Sequence, residues 1–146
     1  MFSVPNDPNV IEDFKREFTI DTNALTKIIV QALYRSKATD IRILNLEGLI
    51  SYCDRFVVCS ASSIRQVRAI ADNLMMELKK KHAHMPLGIE GKGQGQWILL
   101  DYEDVIVHVF SSEAREYYTL DSLWMDAPLI PLDILEIEEQ EEPSDS

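Results

Sequence analysis

Three carboxylates, Asp101, Glu103 and Asp104, crowd the end of an apolar run. Alternating acids at a strand end are an arrangement that holds magnesium for nucleotidyl transfer. Such a transferase also needs a Gly-Ser turn ahead of the acids to seat the triphosphate. The matching turn here, Cys59-Ser60-Ala61-Ser62-Ser63, has no glycine. A magnesium-dependent nucleotidyltransferase is therefore the alternative reading, and no catalytic, metal or cofactor-binding residue is assigned. Gly91, Gly93 and Gly95 space like a nucleotide loop but join two expected strands, with no helix N-terminus following to present amides to a phosphate. They read as a flexible inter-strand loop. His82 and His84 end a helix without further ligands at metal spacing and read as exposed. His108 lies inside a strand, and no nucleophile can be paired with it; a hydrogen-bonded structural histidine is expected. Cys53 and Cys59 show no metal-ligand pattern and read as buried thiols.

A different chemistry is suggested by the large aromatics Trp97, Tyr102, Tyr117, Tyr118 and Trp124 lying among Asp101, Glu103, Asp104, Glu113 and Glu116. Aromatic anchors within a polar rim suit a protein-binding face. Core filling competes with that reading, and strand periodicity separates the two. Ile98 and Leu100 point one way, into a core, whereas Trp97, Leu99 and Asp101 point the other. Either Trp97 or Trp124 is expected to be exposed.

These residues need a scaffold. Asp21 or Thr22 can cap a helix whose Leu25, Ile28, Ile29, Ala32 and Leu33 share one face. Thr39 to Leu46 reads as a strand ended by Gly48, and Arg55 to Ser60 as a strand buried on both faces. Ser63 with Gln66 forms a capping-box pattern ahead of Ile64, Val67, Ile70, Ala71, Leu74 and Leu78, a helix ending near Lys79, Lys80 and Lys81. Leu87 to Glu90, Trp97 to Tyr102 and Val105 to Phe110 read as a meander, with a tight turn at Glu103-Asp104. A last helix from about Glu113 carries Tyr117, Leu120, Leu123 and Trp124 and is halted by Pro128. This order implies an α/β fold, one mixed β-sheet with helices packed on it.

The 146 residues fit one domain, expected over 21–130, with 1–20 as a flexible leader or short helix and 131–146 as an acidic disordered tail. No long apolar run or secretory signal pattern is found, so a cytosolic protein without membrane contact is expected. Net charge is -11. Six acids between Glu136 and Asp145 account for part of it, and removing them leaves -5. That sign is wrong for gripping phosphates, so direct nucleic acid binding is not expected. An acidic domain working beside RNA would reach it through a basic protein.

The stretches Asp54-Arg55-Phe56-Val57-Val58-Cys59, Ser62 to Asp72, Gly88-Ile89-Glu90-Gly91, Trp97-Ile98-Leu99-Leu100-Asp101-Tyr102, Val105 to Phe110, and Glu113 through Pro128 resemble, in this succession, the Iojap or ribosomal silencing factor family. The likeness runs from about Asn23 to Pro128. It implies a nucleotidyltransferase-like fold without transferase chemistry, in agreement with the missing glycine turn. It also implies binding to large-subunit ribosomal protein fourteen, where the small subunit joins, and so repression of translation by blocking association of the small and large ribosomal subunits. The partner-binding surface it implies maps onto Trp97, Leu99, Asp101, Tyr102, Tyr117, Tyr118 and Leu120. A homodimer is a further possibility within the family. Cys59-Ser60-Ala61 departs from a Thr-Gly-Thr-like turn, which argues against a ligand role there.

Overall fold

A computed structural model describes residues 21–118 and 127–132. Helix α1 (Thr22–Arg35) begins where the Asp21 side chain accepts a hydrogen bond from the Asn23 amide at 3.0 Å. Its Leu25, Ile29, Val30, Ala32 and Leu33 are buried, and Ile28 packs at the margin of that face. Strands β1 (Thr39–Asn45) and β2 (Arg55–Ala61) follow, then helix α2 (Ile64–His82). The Ser63 hydroxyl caps α2 by accepting from the Gln66 amide at 3.1 Å. The reciprocal half of the box is shifted by one residue: the Gln66 side chain accepts from the Ser62 amide at 2.6 Å, not from that of Ser63. Ala83, at φ 51°, turns the chain out of the helix just after its basic last turn.

Strands β3 (Gly88–Glu90), β4 (Trp97–Asp101) and β5 (Val105–Ser111) form the meander, and helix α3 (Ser112–Tyr118) starts directly from β5. The sheet order is β1-β2-β5-β4-β3. Only β2 and β5 pair in parallel; the other three pairs are antiparallel. The sheet is therefore mixed, as expected. Its central pair is buried along its whole length on both faces, which explains their near-continuous apolar sequence.

The two faces bury different sets. On one, Ile43, Val57, Cys59, Val107, Val109, Ile98 and Leu100 meet the apolar stripes of α1 and α2. On the other, Leu44, Phe56, Val58, Ile106 and Phe110 pack with Ala114 of α3 and with Ala127. Among the described residues this second cluster is the smaller, and Ile50, Trp97 and Leu99 lie half-buried at its margin. Segment 128–130 runs along β1, where the Asn45 amide donates to the Pro128 carbonyl at 2.8 Å and the Ile130 amide to that of Ile43 at 2.9 Å. Ile130 and Leu132 also pack against the helix-side core. The expected leader 1–20, residues 119–126 with Leu120, Leu123 and Trp124, and residues 133–146 of the expected tail lie outside the described residues.

Candidate functional site

Alternation along β4 sorts its side chains as its sequence demands. Ile98 and Leu100 are fully buried, while Trp97, Leu99 and Asp101 are half-buried on the opposite face. Their cross-strand neighbours on β5 are Phe110, His108 and Ile106 respectively. The Trp97 ring stacks on Phe110 with centroids 4.9 Å apart, and its indole N–H donates to His108 Nδ1 at 3.0 Å. Among the described residues, the half-buried tryptophan is thus held by its stacking on Phe110 and its hydrogen bond to His108.

His108 makes this possible by remaining neutral. It is 3% exposed, lies edge-on to Phe56 at 4.5 Å, and burial pushes its pKa down to about 4. Only a neutral imidazole has an acceptor nitrogen, so with Nδ1 accepting from Trp97 the proton sits on Nε2. Nε2 has no hydrogen-bond partner among the described residues. A buried donor left unmade costs about 1–3 kcal/mol. The sequence reading of a hydrogen-bonded strand histidine is correct, but it missed that the partner is Trp97.

Gly91 is a second residue whose role sequence reasoning missed. It adopts φ +84°, and a Cβ there would lie 2.0 Å from the Trp97 carbonyl oxygen. Only glycine lets the loop backbone pass so close to the start of β4. The loop is tied down as well: Arg68 of α2 donates to the Lys92 and Gly93 carbonyls at 3.2 and 2.6 Å, and the Gly95 amide to that of Gly91 at 2.9 Å. The glycine-rich connection therefore joins two strands as expected, but it is pinned from the helix layer. Between it and β4 lies a shallow cleft of about 260 Å³ lined by Glu90, Gly91, Gln94, Gln96, Trp97 and Leu99.

The carboxylates serve the hairpin. Asp101 Oδ1 accepts from the Glu103 amide at 2.8 Å, where Glu103 turns at φ 74°. Asp104 Oδ2 accepts from the Thr22 hydroxyl at 3.4 Å, and its carbonyl accepts from the Asp54 and Arg55 amides. No group of three or more His, Cys, Asp or Glu side chains is placed to hold a metal ion among the described residues.

One residue expected on the docking face is elsewhere. Tyr102 is 2% exposed in the helix-side core, its ring stacked on His84 at 5.5 Å. Burial pushes its phenol up to about 12. It sits just beyond β4 with the parity of Ile98 and Leu100, so the strand's own alternation turns it inward. His84, expected to be exposed, is half-covered by that contact, whereas His82 is exposed. Tyr117 and Tyr118 fall in the last turn of α3, and their side chains, like the whole of Leu120, lie outside the described residues. Cys53 and Cys59 are free and buried, with thiols pushed up to about 11 and about 12 by desolvation.

Residues 19–146 match the family described as "Ribosomal silencing factor during starvation". The Bacillus subtilis ribosomal silencing factor RsfS is 36% identical over 114 residues, spanning 78% of this chain and 96% of that protein. A crystal structure of a protein from Chromobacterium violaceum superimposes with a TM-score of 0.69 at 34% identity, over 73% of this chain and 88% of that one. More distant relatives include maize chloroplastic protein Iojap, 31% identical over 128 residues, covering 88% of this chain and 54% of that protein. A mouse protein named for mitochondrial assembly of the ribosomal large subunit is 29% identical over 119 residues, covering 80% and 50%.

Proposed function

The chain belongs to the ribosomal silencing factor family, and from that premise we propose that it is a non-enzymatic repressor that binds a large-subunit ribosomal protein through the half-exposed face of β4. The partner is ribosomal protein fourteen, at the surface where the subunits meet, and occupancy of that surface blocks joining sterically. The observation that carries this reading is the fixed, half-exposed Trp97 beside Leu99 and Asp101. An aromatic anchor pre-set in one orientation loses little freedom on binding, and such residues dominate interface energy. Asp101 and Glu90 supply negative charge toward a basic partner, and the net charge of -11 speaks against a direct grip on RNA. The action is placed in the cytoplasm, with the ribosomes.

Titration of the isolated ribosomal protein into the full chain tests the assignment of the face. Asp101→Lys should weaken binding by repulsion, less severely as salt is raised, because screening shortens the reach of exposed charges. Wild-type affinity for a folded Asp101→Lys protein at low salt would remove this face from the interface.

A further inference from the structure

The exposed apolar surface of the helix layer has no role in docking through β4. Met75 and Met76 of the C-terminal half of α2 and Met85 just beyond its end line a groove of about 350 Å³ together with Lys79 and Lys80. Met76 is 53% and Met85 57% exposed. Lys79 and Lys80 are exposed and form no ion pair among the described residues, whereas Lys81 is engaged by Glu77. Lysines in a last helical turn complement the helix dipole, which accounts for their charge but not for the uncovered methionines beside them. The groove is an apolar floor with a cationic rim. Its complement is a segment that combines aliphatic side chains with a dense run of carboxylates.

This chain carries such a segment. Residues 133–146 contain Ile134, Leu135 and Ile137 followed by Glu138, Glu139, Glu141 and Glu142, with no basic residue. Its starting point is also favourable. Leu132 packs against the helix-side core, in antiparallel register with the start of β1, to which α1 leads directly. The end of α1 touches α2 through the ion pair of Arg35 with Glu77, two residues before Lys79. A path across two helices side by side takes about 20 Å, at about 10 Å for each. Fourteen residues reach roughly 45 Å when extended.

We propose that the acidic C-terminal segment of this chain docks onto its own α2, seating Ile134, Leu135 or Ile137 on the methionine floor and its glutamates against Lys79 and Lys80. The contact covers an apolar patch that would otherwise face solvent, and it leaves the opposite, β4-bearing face clear.

The full chain carrying Ser144→Cys tests this. A maleimide spin label will react there selectively, because Cys53 and Cys59 are buried. Paramagnetic broadening of amide signals should concentrate on Met75 to Met85, and Lys79→Glu with Lys80→Glu should abolish it while the remaining spectrum keeps its dispersion. In the unaltered Lys79, Lys80 background, raising salt from 0.1 M to 1 M, which shortens the Debye length from about 10 Å to about 3 Å, should weaken it several-fold. Broadening centred elsewhere, or spread evenly, overturns the proposal, as does broadening that survives both charge reversal and salt. Mixing labelled chains with isotope-labelled, spin-free chains separates the remaining case: broadening carried between molecules means that a second copy occupies the groove, and the self-docking assignment is wrong.

Discussion

At the residue scale, the proposed anchor Trp97 is also a packing element. Because its ring lies on Phe110 and its N–H on His108, Trp97→Ala should lower the melting temperature as well as the affinity for the ribosomal protein. The loss at a hot spot is about 2 kcal/mol or more, hence at least roughly tenfold in affinity. Trp97→Phe keeps the stacking and loses the hydrogen bond, so it should recover most of the melting temperature. Full retention of affinity by a folded Trp97→Ala protein in calorimetry would refute the anchor. His108 gives a pH signature. Its pKa is about 4 in the fold against an ordinary 6.5, so between those values the unfolded chain binds the proton first and stability falls as pH drops from about 6.5 through about 4. The swing is about 3 kcal/mol at most. His108→Gln should flatten that part of the stability curve, measured by denaturant unfolding at pH 7, 5.5 and 4. The strand's period of two exposed Trp97, Leu99 and Asp101 in the sequence itself. Tyr102 was grouped with the docking aromatics by residue type and by the family likeness, and extending the same period by one residue would have turned it inward with Ile98 and Leu100. The Trp97–His108 bond was not legible, because it depends on a register between strands that no local pattern specifies.

Helices and strands were easier to read than what fastens them. The stripes of α1 and α2 and the unbroken apolar runs of β2 and β5 follow from periodicity and burial alone. The tether from Arg68 to the glycine loop, the close passage of Gly91 beneath Trp97, and the shifted capping box are contacts across sequence distance or a matter of one residue in register. Gly91→Ala should therefore act at a distance. It adds a Cβ 2.0 Å from backbone at a φ of +84°, so it should destabilise the domain by about 1–3 kcal/mol and displace Trp97. Thermal unfolding with binding in parallel checks this, and an unchanged melting temperature would contradict the geometry. Segment 128–132 is likewise more than a connector. A chain ending at Leu132 should keep cooperative unfolding. One ending at Asp126 should lose roughly 2–4 kcal/mol in urea, since it forfeits two hydrogen bonds to β1 and the packing of Ile130 and Leu132. Equal stability of the two chains would show that the segment adds nothing.

On the scale of the whole molecule, α1 and α2 cover one side of the sheet, and on the other, among the described residues, Trp97 and Leu99 of β4 stay half-buried at the margin of a smaller cluster. The net charge of -11 led to the expectation of a basic partner, and the order of motifs carried the family, but neither could say which sheet face α3 packs on, because that depends on tertiary contacts. Docking through β4 requires that the protein ride on the large subunit alone. The direct measurement is sedimentation of purified subunits through a sucrose gradient, with the wild-type chain and with Asp101→Lys. Wild-type protein should co-sediment with large subunits and shift small and large subunits from the joined to the separate peaks, and Asp101→Lys should restore joining at low salt while remaining folded. Unimpeded joining with wild-type protein bound to the large subunit would contradict the steric account.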